Sequence, residues 1–333
     1  MSEISHGGQL DKAISRFAGR KSDWLDLSTG INPNGYPIPE LDPEIWSRLP
    51  DKAGWEATAA IAHEAYRAGV GAAISLAPGS QAHIQLLPWL FKPQAVAIVG
   101  FTYQEHGLCW RRAGHEVYVT DGLESAEATA RIVIVVNPNN PDGRIWDREA
   151  LAGLARRLAS RGGILVVDEA YCEVTPNASV AGETGREGLV VLRSLGKFYG
   201  LAGIRFGVVL TSELLARRLE ERLGPWAVSG PAQAVAAQAL SDEKWRKQAR
   251  KNLVTMREEL ETILLKSGHE IVGGTDLFVL SKQGKAHALW EHLGSQKILT
   301  RVFPGKADWM RFGMPADKRA LRRLHKALVS FYG

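Results

Sequence analysis

Five short apolar runs rich in β-branched residues recur through the middle of the chain: "AVAIVG" (95–100), "RIVIVV" (131–136), "GILVVDE" (163–169), "LVVLRS" (189–194) and "RFGVVL" (205–210). None alternates apolar with polar positions, the pattern of strands covered on both faces. Between two of them lies "DREALAGLARRLASRGG", with apolar residues at helical spacing, Asp147 placed to cap its first turn and Gly162 to end it. Strands alternating with helices predict an α/β domain built on a mostly parallel sheet. The last two runs are close together, which allows one of them to run antiparallel.

After about residue 212 the pattern changes. "SELLARRLEERL" and "PAQAVAAQALSDEKWRKQARKNLVTMREELETILLKSG" are long and helical, "DLFVLS" and "ILTRVF" are short strand candidates, and "PADKRALRRLHKALVSFY" is a final helix with a proline in its expected first turn. This reads as a smaller α+β domain. The expected division is an N-terminal arm or part of the small domain over 1–40, a large domain over 41–215 and a small domain over 216–333.

The net charge of +5 over 333 residues is mild, and Lys and Arg are spread along helical faces. A nucleic-acid binder concentrates them with interleaved aromatics, so no nucleic acid is expected; the excess suits an anionic small molecule. Cys109 and Cys172 form no CxxC pair, and no Cys/His cluster has metal-site spacing. Neither a disulfide framework nor a metal site is expected, and a reducing cytoplasm is the expected compartment. The opening "MSEISHGGQLDKAISRFAGRK" lacks the apolar core of a secretory signal, and no run is long enough to cross a bilayer.

Three features lie at or just beyond the carboxyl ends of predicted strands, where open α/β sheets bind ligands. In "NPNNPDGR" a cis peptide at Asn140–Pro141 is expected to aim the Asn140 amide inward. In "VVDEAY" Asp168 closes an apolar run, a costly place for a carboxylate without a partner. A helix cap, an ion pair or the cationic ring nitrogen of a ligand would each supply one, and Tyr171 can reach the same ligand. In "SLGKFYGLAGIRFG" Lys197 lies between Ser194 and Arg205. A lone lysine is usually a surface residue, but a desolvated one is a nucleophilic amine toward an aldehyde. A hydroxyl and a guanidinium suit a phosphate. An amine for an aldehyde, a carboxylate for a pyridinium, a phenol for a phenolate oxygen, and Ser plus Arg for a phosphate together describe pyridoxal 5′-phosphate.

"SLGKFYGLAGIRFG" resembles the lysine signature of class I/II pyridoxal-phosphate aminotransferases, S-x-[ST]-K-x-[FY]-x-x-x-G-x-R-x-G, with Gly196 replacing the usual hydroxyl residue. "NPNNPDGR" is similar to the family's N-P-[ND]-N-P-T-G and "DEAY" to its D-E-[AV]-[YF]. The resemblance implies a fold-type I transferase: an α/β large domain with a mostly parallel sheet, plus a smaller α+β domain. It also implies a homodimer with cofactor sites at the subunit interface. It assigns Lys197 to the cofactor aldehyde, with Asp168, Tyr171, Asn140, Ser194 and Arg205 around the cofactor. "APGSQAHIQLL" fits the phosphate loop, placing Gly79 before the backbone N–H groups of Ser80 and Gln81. "FTYQEHG" implies that Tyr103 stacks on the ring, "DWMRFGMP" that Arg311 pairs with the substrate carboxylate, and "STGINPNG" that Asn32 approaches the substrate.

Within the family, "SHGGQL" and "LDLSTGINPNGYP" are similar to elements of the threonine-phosphate decarboxylases of cobalamin synthesis. That implies a phosphorylated amino acid as substrate, with His6 and Gly7 near its phosphate and Arg301 of "ILTRVFPG" at the same end. Leu49 in "SRLPD" stands where relatives carry a tyrosine that reaches the neighbouring subunit's cofactor phosphate. The alternative is a histidinol-phosphate-type aminotransferase. The same residues serve both reactions, and the outcome depends on which substrate bond stands perpendicular to the ring. A rival reading is a non-enzymatic member of a cobalamin-pathway complex; for an active enzyme, a pathway partner protein is a further expectation. The G-x-G-x-x-G of a nicotinamide dehydrogenase is absent after a first strand.

Overall fold

The computed structural model describes residues 7–332. In chain order its strands are β1 (Leu25–Asp26), β2 (Ala73–Ala77), β3 (Ala95–Val99), β4 (Glu116–Thr120), β5 (Ile132–Val136), β6 (Ile164–Asp168), β7 (Leu189–Ser194), β8 (Gly207–Thr211), β9 (Glu270–Thr275), β10 (Phe278–Lys282), β11 (Ile298–Leu299), β12 (Arg301–Phe303) and β13 (Lys306–Gly313). The chain divides into two compact units. A sheet unit comprises residues 36–140 and 144–244; a terminal unit comprises 1–35, 141–143 and 245–333.

This division differs from the expected boundaries at 40/41 and 215/216. Helix Glu213–Leu223 belongs to the sheet unit, because Leu215 and Leu219 share a core with Ile84 and Val209. Helix Gly230–Ser241 packs on helix Lys52–Ala65 of the same unit. Helical periodicity shows which face of a helix is apolar, not which sheet or helix it covers.

In the sheet unit the strand order is β2-β8-β7-β6-β5-β3-β4. Strands β3 to β7 pair in parallel; β8 runs antiparallel to both of its neighbours. Every residue of β5, β6 and β8 is buried, which explains their unbroken apolar runs. Parallel strands finish at one edge, so the segments after β3, β5, β6 and β7 emerge together. The reversed β8 brings its beginning to that edge: Gly207 lies opposite Ser194 on one side and Ala77 on the other.

In the terminal unit, β12-β13-β10-β9 form an antiparallel sheet, and β1 pairs in parallel with β11. Helix Leu10–Phe17 packs through Phe17 against Trp24 and Trp290. The final helix begins at Lys318 rather than near Pro315, because the Asp317 carboxylate accepts the Ala320 N–H at 2.7 Å and caps it. Among the described residues no helix is long and apolar enough to cross a membrane.

Candidate active site

At the carboxyl edge of the parallel strands lies a cavity of about 180 Å³. Lys197 reaches it from the loop after β7, which the fully buried Leu195, Phe198 and Tyr199 anchor. The residue is half-buried, with Nζ 5.6 Å from the centre of the Tyr171 ring. Ser194 ends β7. Its Oγ accepts the Gly196 N–H at 3.1 Å, which leaves its own proton to donate. A Cβ at Gly196 would lie 3.3 Å from that oxygen and 3.4 Å from Ala202 Cα, so the loop is tight where relatives carry a hydroxyl residue.

Arg205 adopts a left-handed conformation (φ 54°) and donates from Nη1 to the Ala202 carbonyl at 3.0 Å. Its guanidinium covers Gly79 so closely that a Cβ there would lie 2.4 Å from Nη2, and Gly79 itself has φ +83°. A Cβ at Gly207 would lie 2.1 Å from Ser80 N. Two glycines therefore let the turn before helix Ser80–Leu86 close on β8 and Arg205. Ser80, Gln81, Ser194 and Arg205 line the cavity; Gly79 does not.

Asp168, at the end of β6, is only 3% exposed. Its Oδ1 accepts the Ala170 N–H at 3.0 Å, and Oδ2 lies 2.9 Å from His106 Nε2. A carboxylate only accepts, so Nε2 carries the proton in this pair. His106 was not among the sequence candidates. The available signal was its position three residues after Tyr103, one helical turn along the same face, and the two rings meet edge-to-face at 6.0 Å. Tyr103 donates its hydroxyl to Gln81 Oε1 at 3.0 Å, and burial, then Glu105, raises its pKa.

Asn140 is half-buried and lines the cavity. The cis peptide falls at Asn137–Pro138, at the end of β5, and not at Asn140–Pro141 as expected. Asn137 and Asn139 fold the turn: Asn137 bridges Ala178 O and Trp146 N–H, and Asn139 accepts from Thr102 Oγ1 at 2.6 Å. Of the sequence candidates, the cavity gathers Ser80, Gln81, Tyr103, Asn140, Asp168, Tyr171, Ser194, Lys197 and Arg205.

Behind the cavity lies a buried ionic cluster. Arg193 precedes Ser194 on β7, and strand alternation turns it to the opposite face. It pairs with Glu169 and, at 2.7 Å, with Glu173. Its guanidinium carbon lies 4.4 Å from the centre of the Tyr66 ring. Burial raises the Glu169 pKa, while Arg193, Ser179 Oγ–H and Val180 N–H hold it down. The cluster ties β7 to the segment that carries Tyr171.

Gly7, Asn32, Arg301 and Arg311 lie in the terminal unit. His6 lies outside the described residues. Arg301 and Arg311 face each other directly across β12 and β13. Arg311 is buried, donates to Ser28 O at 2.8 Å and has its guanidinium carbon 5.1 Å from the Phe278 ring centre. Burial, then Arg311, pushes the pKa of Arg301 down to about 10. Gly7 meets the same backbone: a Cβ there would lie 2.4 Å from Ser28 O. Asn32 is buried and its Oδ1 accepts the Asn34 N–H at 2.9 Å. A cavity of about 550 Å³ in this unit is lined by Arg301, Thr300, Ser28, Lys12 and Arg16, among others. Like charges directly opposite in an antiparallel pair are unfavourable.

Residues 31–328 match the sequence model of the family described as Aminotransferase class I and II, and the chain belongs to that family. Its fold is that of the fold-type I pyridoxal-phosphate transferases. The histidinol-phosphate aminotransferase from Clostridium acetobutylicum superposes with a TM-score of 0.81 at 23% identity, over 92% of this chain and 98% of that one. In sequence the chain is 41% identical to a threonine-phosphate decarboxylase from Pseudomonas aeruginosa, over 98% of each chain. It is 40% identical to another of that name from Sinorhizobium sp, again over 98% of each. The cofactor is pyridoxal 5′-phosphate. The cavity fits it in chemistry, with a lysine amine, a buried carboxylate held by His106, and an arginine corner opened by Gly79.

Proposed function

We propose that this protein is a threonine-phosphate decarboxylase, converting L-threonine O-3-phosphate to (R)-1-aminopropan-2-yl phosphate and CO₂ for cobalamin biosynthesis. The similarity to two decarboxylases of that name, end to end at 41% and 40% identity, carries the choice within the family. The facing pair Arg301 and Arg311 supports a substrate with two anionic groups.

In this reading Lys197 holds the cofactor's aldehyde carbon, Asp168 its ring nitrogen, and Tyr171 and Asn140 its phenolate oxygen. Ser194, Arg205 and the backbone N–H groups of Ser80 and Gln81 hold its phosphate, and Tyr103 lies on the ring face. Bound there, the cofactor supplies an electron sink for the pair left behind when CO₂ departs. Asp168, its carboxylate fixed by two hydrogen bonds, would favour that sink by keeping the ring nitrogen protonated. Arg311 takes the substrate carboxylate, while Arg301, with His6 and Gly7, takes the phosphate; Asn32 approaches the substrate. These contacts set the torsion that selects the bond to be broken. The Lys197 amine would return a proton to the α-carbon.

The proposal extends to a cytoplasmic homodimer. Ile38, Trp46, Leu49 and Trp226 of the sheet unit are large, apolar and more than half exposed, which suits a covered face. Leu49 offers no hydroxyl of its own for a contact from a neighbour to the cofactor phosphate. A pathway protein that receives the amino-alcohol phosphate is a proposed partner, testable by co-elution in gel filtration.

The deciding experiment supplies cofactor-loaded protein with L-threonine O-3-phosphate and measures released CO₂ and the amine product. Stoichiometric release of both is expected. Steady glutamate formation from histidinol phosphate and 2-oxoglutarate, without CO₂ release from the phosphothreonine, would instead identify an aminotransferase.

A further inference from the structure

Beside Tyr103 runs a short polar chain that the proposed chemistry does not use. Tyr103 Oη lies 3.0 Å from Gln81 Oε1, and Gln81 Nε2 lies 3.1 Å from Glu105 Oε2. Glu105 is 8% exposed. Cys109 Sγ lies 3.9 Å from the same carboxylate oxygen, and burial, then Glu105, pushes the thiol up to about 11, so it remains a donor at neutral pH.

The polarity of this chain is forced from one end. A carboxylate at 105 accepts and cannot donate, so Gln81 presents its NH₂ to Glu105 and its oxygen to Tyr103. Tyr103 must then be the donor. Its proton is committed to Gln81 Oε1, and its phenol is tied to helix Ser80–Leu86, whose first turn also lines the cofactor cavity. Tyr103 and Glu105 both belong to the opening of helix Gln104–Arg112, and Gln81 joins that opening to the other helix.

We propose that Gln81 and Glu105 are positioning residues that fix the plane of the Tyr103 ring against the cofactor by a one-way hydrogen-bond chain from Tyr103 to a buried carboxylate. The inference rests on the reading that Tyr103 lies on the cofactor ring. It separates two functions of Gln81: the backbone N–H serves the phosphate end, and the side chain serves the ring face.

The test uses full-length protein reconstituted with pyridoxal 5′-phosphate. The readouts are the cofactor dissociation constant, the induced circular dichroism of its absorbance band, and thermal unfolding of the cofactor-free protein. Gln81→Met, Glu105→Ala and Tyr103→Phe are each expected to weaken cofactor binding about fivefold, the worth of one hydrogen bond. They should change the dichroism alike, beyond whatever each takes from the stability of the cofactor-free protein. Glu105→Gln keeps an acceptor for Gln81 and should stay within about twofold of the parent. The double variant Gln81→Met/Tyr103→Phe should bind no more weakly than the worse single variant, because both cut the same chain. Multiplying losses in the double variant, or parent-like dichroism in Gln81→Met beside a changed Tyr103→Phe, would overturn the inference. So would variants that lower only cofactor-free stability. If Tyr103→Leu leaves affinity and dichroism unchanged, the stacking reading itself fails, an outcome distinct from failure of the chain alone.

Discussion

Gly79 has no side chain because the guanidinium of Arg205 occupies the place where one would stand. A methyl group there meets Nη2 at 2.4 Å, on a backbone at φ +83° that L-residues avoid. Gly79→Ala is therefore expected to cost about 1–3 kcal/mol in strain or displacement of Arg205. Most of it should appear as weaker cofactor binding, about tenfold or more, measured by absorbance titration. An unchanged dissociation constant would show that Arg205 does not hold the phosphate. At this scale much of the cavity was legible. Asp168, Tyr171, Ser194, Lys197 and Arg205 each sit beside a strand end within a recognisable local pattern. His106 was not legible, because its partner Asp168 is 62 positions away and only the fold joins them. Glu105 was hidden for the same reason: its partner Gln81 lies on a different helix.

Among the elements, the antiparallel pair β12 and β13 makes the sharpest prediction. With Arg301 opposite Arg311, the pair opposes its own pairing by about 0.2–1 kcal/mol. Arg301→Gln should raise the thermal midpoint of anion-free protein slightly at low ionic strength. Added inorganic phosphate should then stabilise the parent more than the variant. A variant less stable than its parent without anion would refute the repulsion. The buried strands β3, β5, β6, β7 and β8 were readable as apolar runs. β2 (Ala73–Ala77) was not, since two alanines and a serine in five residues carry little β-branched signal. β4 was missed because it lies at the sheet's edge with three of its five residues exposed, so its sequence shows no buried run. The spacing between the last two runs did carry the reversal of β8.

For the whole molecule, the chain enters and leaves through the terminal unit, with the sheet unit inserted between. The boundary expected from the sequence falls where strands give way to helices. The structure places it near residue 244, because two of those helices bury their apolar faces in the sheet unit. Local periodicity carries no information about such long-range choices. The homodimer proposal also belongs to this scale. Trp46→Glu with Trp226→Glu should shift the protein toward monomer in sedimentation velocity, without loss of helical circular dichroism. An unaltered sedimentation coefficient would place the interface elsewhere.

Arg193 and Ser194 are adjacent on β7 and point to opposite sides of one sheet, the first into a pair of carboxylates and the second into the cofactor cavity. A slip of that strand by one residue would exchange them. The guanidinium would enter the catalytic chamber, and two anions would be left stranded in the interior. Misthreading by a single step would thus disarm the enzyme and expose it to unfolding at the same moment, so a molecule with this error has no stable, idle form in which to persist.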